Sequence, residues 1–344
     1  MSRILITGAA GFIGSQLAYA LWKKGNEVVL LDDFSYGLED NLIFQNHDFR
    51  QEILREDVCN EEMLNRVCLE GRFNYIYHIA AITPLPDCQI RPGRAITVNV
   101  AGTVNVLEAA RKHGVEKVIF ASTSAVYENC KKFPTVEGDA VPPSLVYSGG
   151  KFAAEQFCRS YVDVYGMNIT TLRFANVYGP HIDCLRRQPP VAGYLIRELY
   201  YDRQPVLHSN GEQRRDFVYV DDLVRLAILV QEGQGYDCVN VSTNTTHSIN
   251  ELYQTIAKIM GKTELTPVYV DSSNYWKKYP GLYEGAYPIS EKILDAEVNK
   301  YTLCDNSYAM KKYGWKPEIS LEKGLKRTVD FCADALKRYG EQKK

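Results

Sequence analysis

Apolar and β-branched side chains in the first half of this chain gather in short runs, at residues 3–7, 27–31, 73–80, 115–122 and 169–174. A strand buried on both faces needs such a run, whereas a half-exposed strand alternates. Between the runs, stretches such as 98–113 and 152–165 repeat apolar residues at intervals of three and four, the spacing of one helix face. This succession over residues 1–180 predicts an α/β fold, a doubly wound parallel sheet covered by helices on both sides. After Gly179-Pro180 the character changes. Helices are expected near 193–201, 220–231 and 248–260, separated by longer loops rich in proline, tyrosine and charge. A smaller C-terminal α/β substrate domain is therefore expected over residues 181–335, with some segments returning to the sheet. Residues 271–295 carry prolines and aromatics without a period and receive no assignment. Residues 337–344 read as a frayed polar tail.

The first strand runs directly into Gly8-Ala9-Ala10-Gly11-Phe12-Ile13-Gly14. Gly8 allows a tight turn, Gly11 lets backbone approach a pyrophosphate, and Gly14 lets the next helix pack closely on the strand. Amides of the first helical turn, at Phe12 and Ile13, would face the phosphates. The second strand ends at Asp32, 18 residues after Gly14. A carboxylate there accepts hydrogen bonds from the adenosine ribose and repels a 2′-phosphate, which predicts NAD rather than NADP in a Rossmann domain over residues 1–180. Asp33 reads as a turn residue serving Ser35 and Gly37.

Composition narrows the class. With 344 residues, 45% hydrophobic and 24% charged, the chain can bury a large core, and its net charge of -2 offers no general attraction to nucleic acid or an anionic membrane. Nine cysteines are scattered, Cys59 and Cys68 being the nearest pair, so neither a zinc cage nor a compact disulfide framework is encoded. No apolar run is long enough to span a bilayer, and residue 3 already begins a strand, so a cytoplasmic protein with reduced thiols is expected.

Tyr147 and Lys151 stand four residues apart, which on a helix stacks the ammonium beneath the phenol. A cation there favours phenolate and turns a tyrosine of ordinary pKa, about 10, into a usable base. A packed ring beside a snorkelling amine has the same spacing, and the pair gains meaning from what accompanies it. Six segments follow in one order: the glycine run, His78-Ile79-Ala80-Ala81, residues 122–127, the Tyr147/Lys151 pair, residues 172–180 and residues 215–222. The chain resembles the extended short-chain dehydrogenase/reductases, and within them the nucleotide-sugar epimerase/dehydratase branch with its UDP-sugar 4-epimerases, from residue 3 to about 329.

The resemblance implies roles for particular residues. Asp57 and Val58 lie where the family contacts adenine, Ala80 and Ala81 line the dinucleotide groove, and Asn99 is a structural and cofactor-side polar group. Lys151 binds the nicotinamide ribose as well as lowering the pKa of Tyr147, and Thr123 hydrogen-bonds the reacting sugar oxygen. The substrate is a nucleotide-diphosphate sugar, met by Arg215 as phosphate clamp, Asn176 as a second donor, Thr83 and Ser124. Arg214 stays open between a phosphate ligand and a solvated charge. Asp221 and Asp222 begin an apolar helix and read as caps. His78 reads as a satisfied structural histidine, and no metal is expected.

Sugar 4,6-dehydratases of this branch carry Asp-Glu after the threonine, where this chain has Ser124 and Ala125. Decarboxylases usually keep a glutamate at the second place. Elimination thus lacks its acid and base, and the expected reaction is inversion at C4: oxidation of the hydroxyl with NAD, turnover of the planar ketone, and reduction on its other face. Glu128, where relatives commonly have glycine, could be a solvent-facing charge, contact an unusual sugar, or restore dehydration or decarboxylation. A C4 dehydrogenase, a C2 or C5 epimerase and a non-catalytic NAD-sensing protein are the other readings. Pro142-Pro143-Ser144 edges the sugar pocket, and loops such as 188–193 would select the base. Apolar stripes on 98–113 and 152–165 imply a homodimer through a four-helix contact, unless the subunit's own sheet covers them.

Overall fold

The chain is described here by a computed structural model covering residues 1–340. Seven strands pair in parallel: β1 (Arg3–Thr7), β2 (Glu27–Asp32), β3 (Ile53–Arg55), β4 (Tyr75–His78), β5 (Lys117–Thr123), β6 (Ile169–Phe174) and β7 (Tyr236–Val241). Their order is β3-β2-β1-β4-β5-β6-β7. From β1 the chain winds outward to β2 and β3, then returns to the other side of β1 to begin β4. Loops leaving the C-terminal ends of β1 and β4 therefore diverge, opening the crevice where ligands of doubly wound sheets bind. Successive side chains of a strand point to opposite faces. Accordingly Ile4 and Ile6 join one hydrophobic core and Leu5 joins another.

The helix expected over 152–165 begins earlier, at Val146, and runs to Tyr165, so Tyr147 lies in its first turn. Gly149 and Gly150, poor helix formers, hid that start. The stretch 98–113 begins as a π turn, Thr97–Ala101, before the α-helix Gly102–Lys112. Beyond residue 180, Tyr236–Val241 returns as the edge strand β7. Asn176–Tyr178, Arg214–Tyr219 and Thr246–Ser248 form a separate three-stranded sheet. One continuous core joins Ile4 of β1 to Leu252 and Leu336 of the late helices.

Residues 271–295, unassigned from sequence, contain the 3-10 turns Ser272–Asn274 and Pro280–Leu282 and the first turn of helix Glu291–Asn299. Trp276, Tyr279, Leu282 and Leu294 there form a small core with Leu145. The tail expected over 337–344 is helical through Tyr339, within Leu321–Tyr339, and residues 341–344 lie outside the described residues.

Candidate active site

A cavity of about 630 Å³ opens at the crevice between β1 and β4 and extends toward the late segments. Its floor is the glycine turn. Gly8 has φ +71, and a Cβ on it would sit 2.6 Å from the Ala80 nitrogen, while one on Gly14 would sit 2.1 Å from the Gly8 oxygen. These contacts admit no side chain, so the turn, β4 and the helix Phe12–Lys23 converge on bare backbone. Gly11 caps that helix with no side-chain bond, leaving its N-terminal end, at Phe12 and Ile13, for an anion.

Asp32 lines the cavity at the end of β2, its carboxylate accepting from Ala10 N at 3.0 Å and Phe34 N at 2.8 Å. Burial raises its pKa and these backbone bonds oppose the rise. Carboxylate lone pairs remain for ribose hydroxyls, and the uncapped helix suits a pyrophosphate, so the cradle fits a dinucleotide. Asp33 serves the turn, accepting from Ser35 N at 2.9 Å. Asp57, Val58, Ala80 and Ala81 line the same half. Burial pushes the Asp57 pKa up, but hydrogen bonds from Cys59 and Arg94 outweigh it and lower it. Arg94, which the sequence reading missed, lines the cavity 2.9 Å from Asp57 and 3.5 Å from Asp33. Asn99 takes only the structural half of its expected role: it is buried outside the cavity lining, its amide accepting from Ile82 N at 2.8 Å and donating to Ile82 O at 2.9 Å. Those bonds occupy it in holding the 82 loop.

Thr123 ends β5 and Tyr147 opens the helix Val146–Tyr165, and both line the cavity. Burial pushes the Tyr147 phenol up to about 12, while a hydrogen bond from Thr123 and the charge of Arg186 pull it down. Thr123 Oγ1 accepts from Ala125 N at 3.1 Å, which leaves its proton for the phenol oxygen. Lys151 also lines the cavity but does not act on Tyr147 as expected. Its ammonium donates to Ala121 O at 2.7 Å and lies 4.7 Å from the Phe120 ring centroid. Burial lowers it to about 8. Helical spacing set the pair on one face, but the carbonyl at the end of β5 took the amine.

His78 is held between Thr7 Oγ1 at 2.8 Å and Thr103 Oγ1 at 3.0 Å, and burial lowers its pKa to about 3. Thr103 gives its own proton to Asn99 O, so it accepts from Nε2–H, and the ring is a neutral structural group. Asp222 binds the backbone amides of Glu318 and Ile319, each at 3.0 Å, and pairs with Arg225. It thus ties its helix to a distant loop rather than capping its own amides. Arg214 pairs with Glu251 at 3.0 Å.

Thr83, Asn176 and Arg215 line the other half of the cavity, whereas Ser124 sits outside the lining in the 3-10 turn Ser124–Tyr127. That turn folds away from the end of β5, so Thr123 reaches the space and Ser124 does not. Asn176 donates to Asp216 O at 3.1 Å. Arg215 donates to Val298 O at 2.9 Å, Glu297 O at 3.3 Å and Lys300 O, the C-terminal carbonyls of Glu291–Asn299 and the residue after it. Burial lowers its pKa to about 10. As it stands, this arginine is a helix cap on the cavity wall rather than a free clamp.

Besides Arg94, sequence reasoning missed Arg186 and Lys278. Arg186 is half-buried in the lining, donates through Nε to Gln188 O at 2.7 Å, and has no ion-pair partner among the described residues. Lys278 lines the wall as well, donating to Arg187 O at 3.2 Å. Both sit in loops, where no periodicity marks a residue's direction. Across the mouth, Tyr36 Oη donates to Asp87 Oδ2 at 2.7 Å. Among the described residues no group of three or more His, Cys, Asp or Glu is arranged to hold a metal, and no helix is long and apolar enough to cross a membrane.

A family model described as the NAD dependent epimerase/dehydratase family matches residues 4–242. The UDP-glucose 4-epimerase of Mycolicibacterium smegmatis is 31% identical over 331 residues, spanning 96% of this chain and 98% of that one. Among solved structures, the UDP-glucose 4-epimerase of Thermotoga maritima with UDP-glucose matches at TM-score 0.84 and 31% identity, covering 97% of this chain and 99% of that one. The UDP-glucose 4-epimerase of Thermus thermophilus in complex with NAD gives 0.81 at 27% identity, covering 97% and 99%. A family match over more than half the chain, joined to a cradle that accepts a dinucleotide, settles the assignment: the protein belongs to the NAD dependent epimerase/dehydratase family and takes NAD as its cofactor.

Proposed function

We propose that the protein inverts C4 of a uridine diphosphate sugar through a transient 4-keto sugar. The observation that carries this reading is the Thr123–Tyr147 couple, set in the same cavity as the glycine turn with no carboxylate acting on it. Ser124 and Ala125 replace the acid pair that elimination needs, and Glu128, the other source of such a group, is absent from the cavity lining. Bound NAD supplies reversible two-electron oxidation at C4. Tyr147 takes the C4 hydroxyl proton and returns it, and Thr123 holds the same oxygen in line. Lys151, one turn along the same helix and held by Ala121 O, would fix the nicotinamide ribose. Arg186 and Lys278 would face the diphosphate, and Arg186, half-buried and without an ion-pair partner among the described residues, is free to answer an anion. The uridine follows the named relatives.

A cytoplasmic homodimer completes the reading. All nine cysteines are free thiols, which suits a reducing compartment. Ile96, Phe157, Val164 and Tyr165 are exposed on or beside the helix Val146–Tyr165, and a second copy would cover them.

The test is product analysis in deuterated water, with NAD and UDP-glucose, UDP-galactose or UDP-glucuronate. Interconversion of C4 stereoisomers without deuterium uptake is expected. Deuterium at C5 with loss of water, or net accumulation of NADH with a keto product, would overturn the proposal.

A further inference from the structure

Glu128 lies five residues beyond Thr123, just after the 3-10 turn Ser124–Tyr127. Its carboxylate reaches the start of the helix that carries Tyr147. One oxygen accepts from Leu145 N at 2.9 Å and from Ser144 N, and the other accepts from Ser148 Oγ at 2.6 Å. Leu145, the N-cap residue, supplies no side-chain acceptor of its own. A glutamate from another segment therefore accepts from the N-cap amide, the work that a Glu or Gln in the first turn does in a capping box. Next to it, Asn129 Nδ2 donates to Pro142 O at 2.9 Å and Ser144 Oγ at 3.1 Å, binding the approach to the helix. Leu145 itself is gripped from the far side by Trp276, Tyr279, Leu282 and Leu294.

Thr123 and Tyr147 belong to segments 24 residues apart, and the hydrogen bond from Thr123 that lowers the phenol's pKa needs their hydroxyls to meet. We propose that Glu128 is a positioning residue for catalysis, a strap from the Thr123 segment to the first turn of the helix that sets the register of the two hydroxyls. The inference rests on the reading of Tyr147 as the base. Glu128 touches neither the cavity nor the reacting atoms, so its effect passes entirely through the Thr123–Tyr147 couple.

The experiment compares Glu128→Ala, Glu128→Gln and Ser148→Ala with the unaltered enzyme, by steady-state kinetics across pH and by hydrogen exchange of the peptide spanning residues 142–150. Glutamine keeps an acceptor for the Leu145 amide, and alanine does not. For Glu128→Ala, kcat is expected to fall at least about tenfold, the scale of a small misplacement of a catalytic group, with KM within about twofold. The hydrogen bond from Thr123 lowers the tyrosine, so its loosening moves the rising limb of kcat to higher pH. Exchange near residue 145 should quicken. Glu128→Gln should recover most of the rate, and Ser148→Ala should fall between the two.

A normal kcat and unmoved pH profile in folded Glu128→Ala, even with a lowered Tm, would overturn the proposal. Glutamine as impaired as alanine would also do so, because charge rather than placement would then matter. Should alanine fail to fold, the glutamine and Ser148 variants decide by the same criteria. Failure of the C4 reading would appear instead in the unaltered enzyme, as the wrong product.

Discussion

Tyr147 and Lys151 show what residue spacing tells and what it leaves out. Four positions along a helix put both side chains into one cavity, but the amine turned to Ala121 O, and the phenol's near neighbour became Thr123. Tyr147→Phe should lower kcat by about a thousandfold, the scale of a lost general base, while the purified protein keeps its NAD absorbance. A smaller effect would displace Tyr147 from that role. Asp32 is judged by cofactor choice. Asp32→Ala should weaken NAD binding about tenfold and leave NADP binding nearly unchanged, narrowing the preference, as cofactor fluorescence titrations can measure. Glycines and strand-end acids were legible because backbone geometry fixes their roles. The cofactor-side half of Asn99's role, and the details of Ser124 and Arg215, were not legible, since the competing partners (Ile82 backbone, a turning 3-10 segment and the carbonyls near Val298) are set by how the chain folds back on itself.

Elements explain why some motif residues that touch no ligand are present. Arg173 on β6 meets Glu155 on the catalytic helix at 2.6 Å, and Glu155 also accepts from Ser122 on β5. The same guanidinium donates to Tyr127 Oη at 2.8 Å, and Tyr127 donates to Asn240 of β7 at 2.7 Å. Three strands and the helix are thereby held together by one buried polar network behind the site. Removing one partner strands a buried charge, so Glu155→Ala should cost about 3–5 kcal/mol, read as a lower urea midpoint. A loss under about 1 kcal/mol would show that the network is replaceable. Long periodic elements were readable in advance. The three-residue strand β3 was too short to stand out, and 271–295 had no period because Trp276 and its neighbours are ordered by packing across the chain.

At the scale of the whole molecule, two buried histidines set its tolerance of acid. Burial lowers His78 to about 3 and His181 to about 4, from 6.5 in an unfolded chain. The unfolded state thus binds protons first as pH falls, so stability is full above pH 6.5 and declines down to those lower values. At pH 5 the loss should be about 2 kcal/mol from each, measured as a drop in urea midpoint from pH 7. His181→Gln, which can still meet Ser15 Oγ, should blunt that drop. An identical drop in the variant would remove His181 from the account. The late return of β7 has a consequence for how the protein is made. Until residue 241 has left the ribosome, β6 is a bare hydrogen-bonding edge beside an unfinished core, so the nascent nucleotide-binding half must wait, shielded by chaperones or the exit tunnel, for a strand encoded some sixty residues downstream.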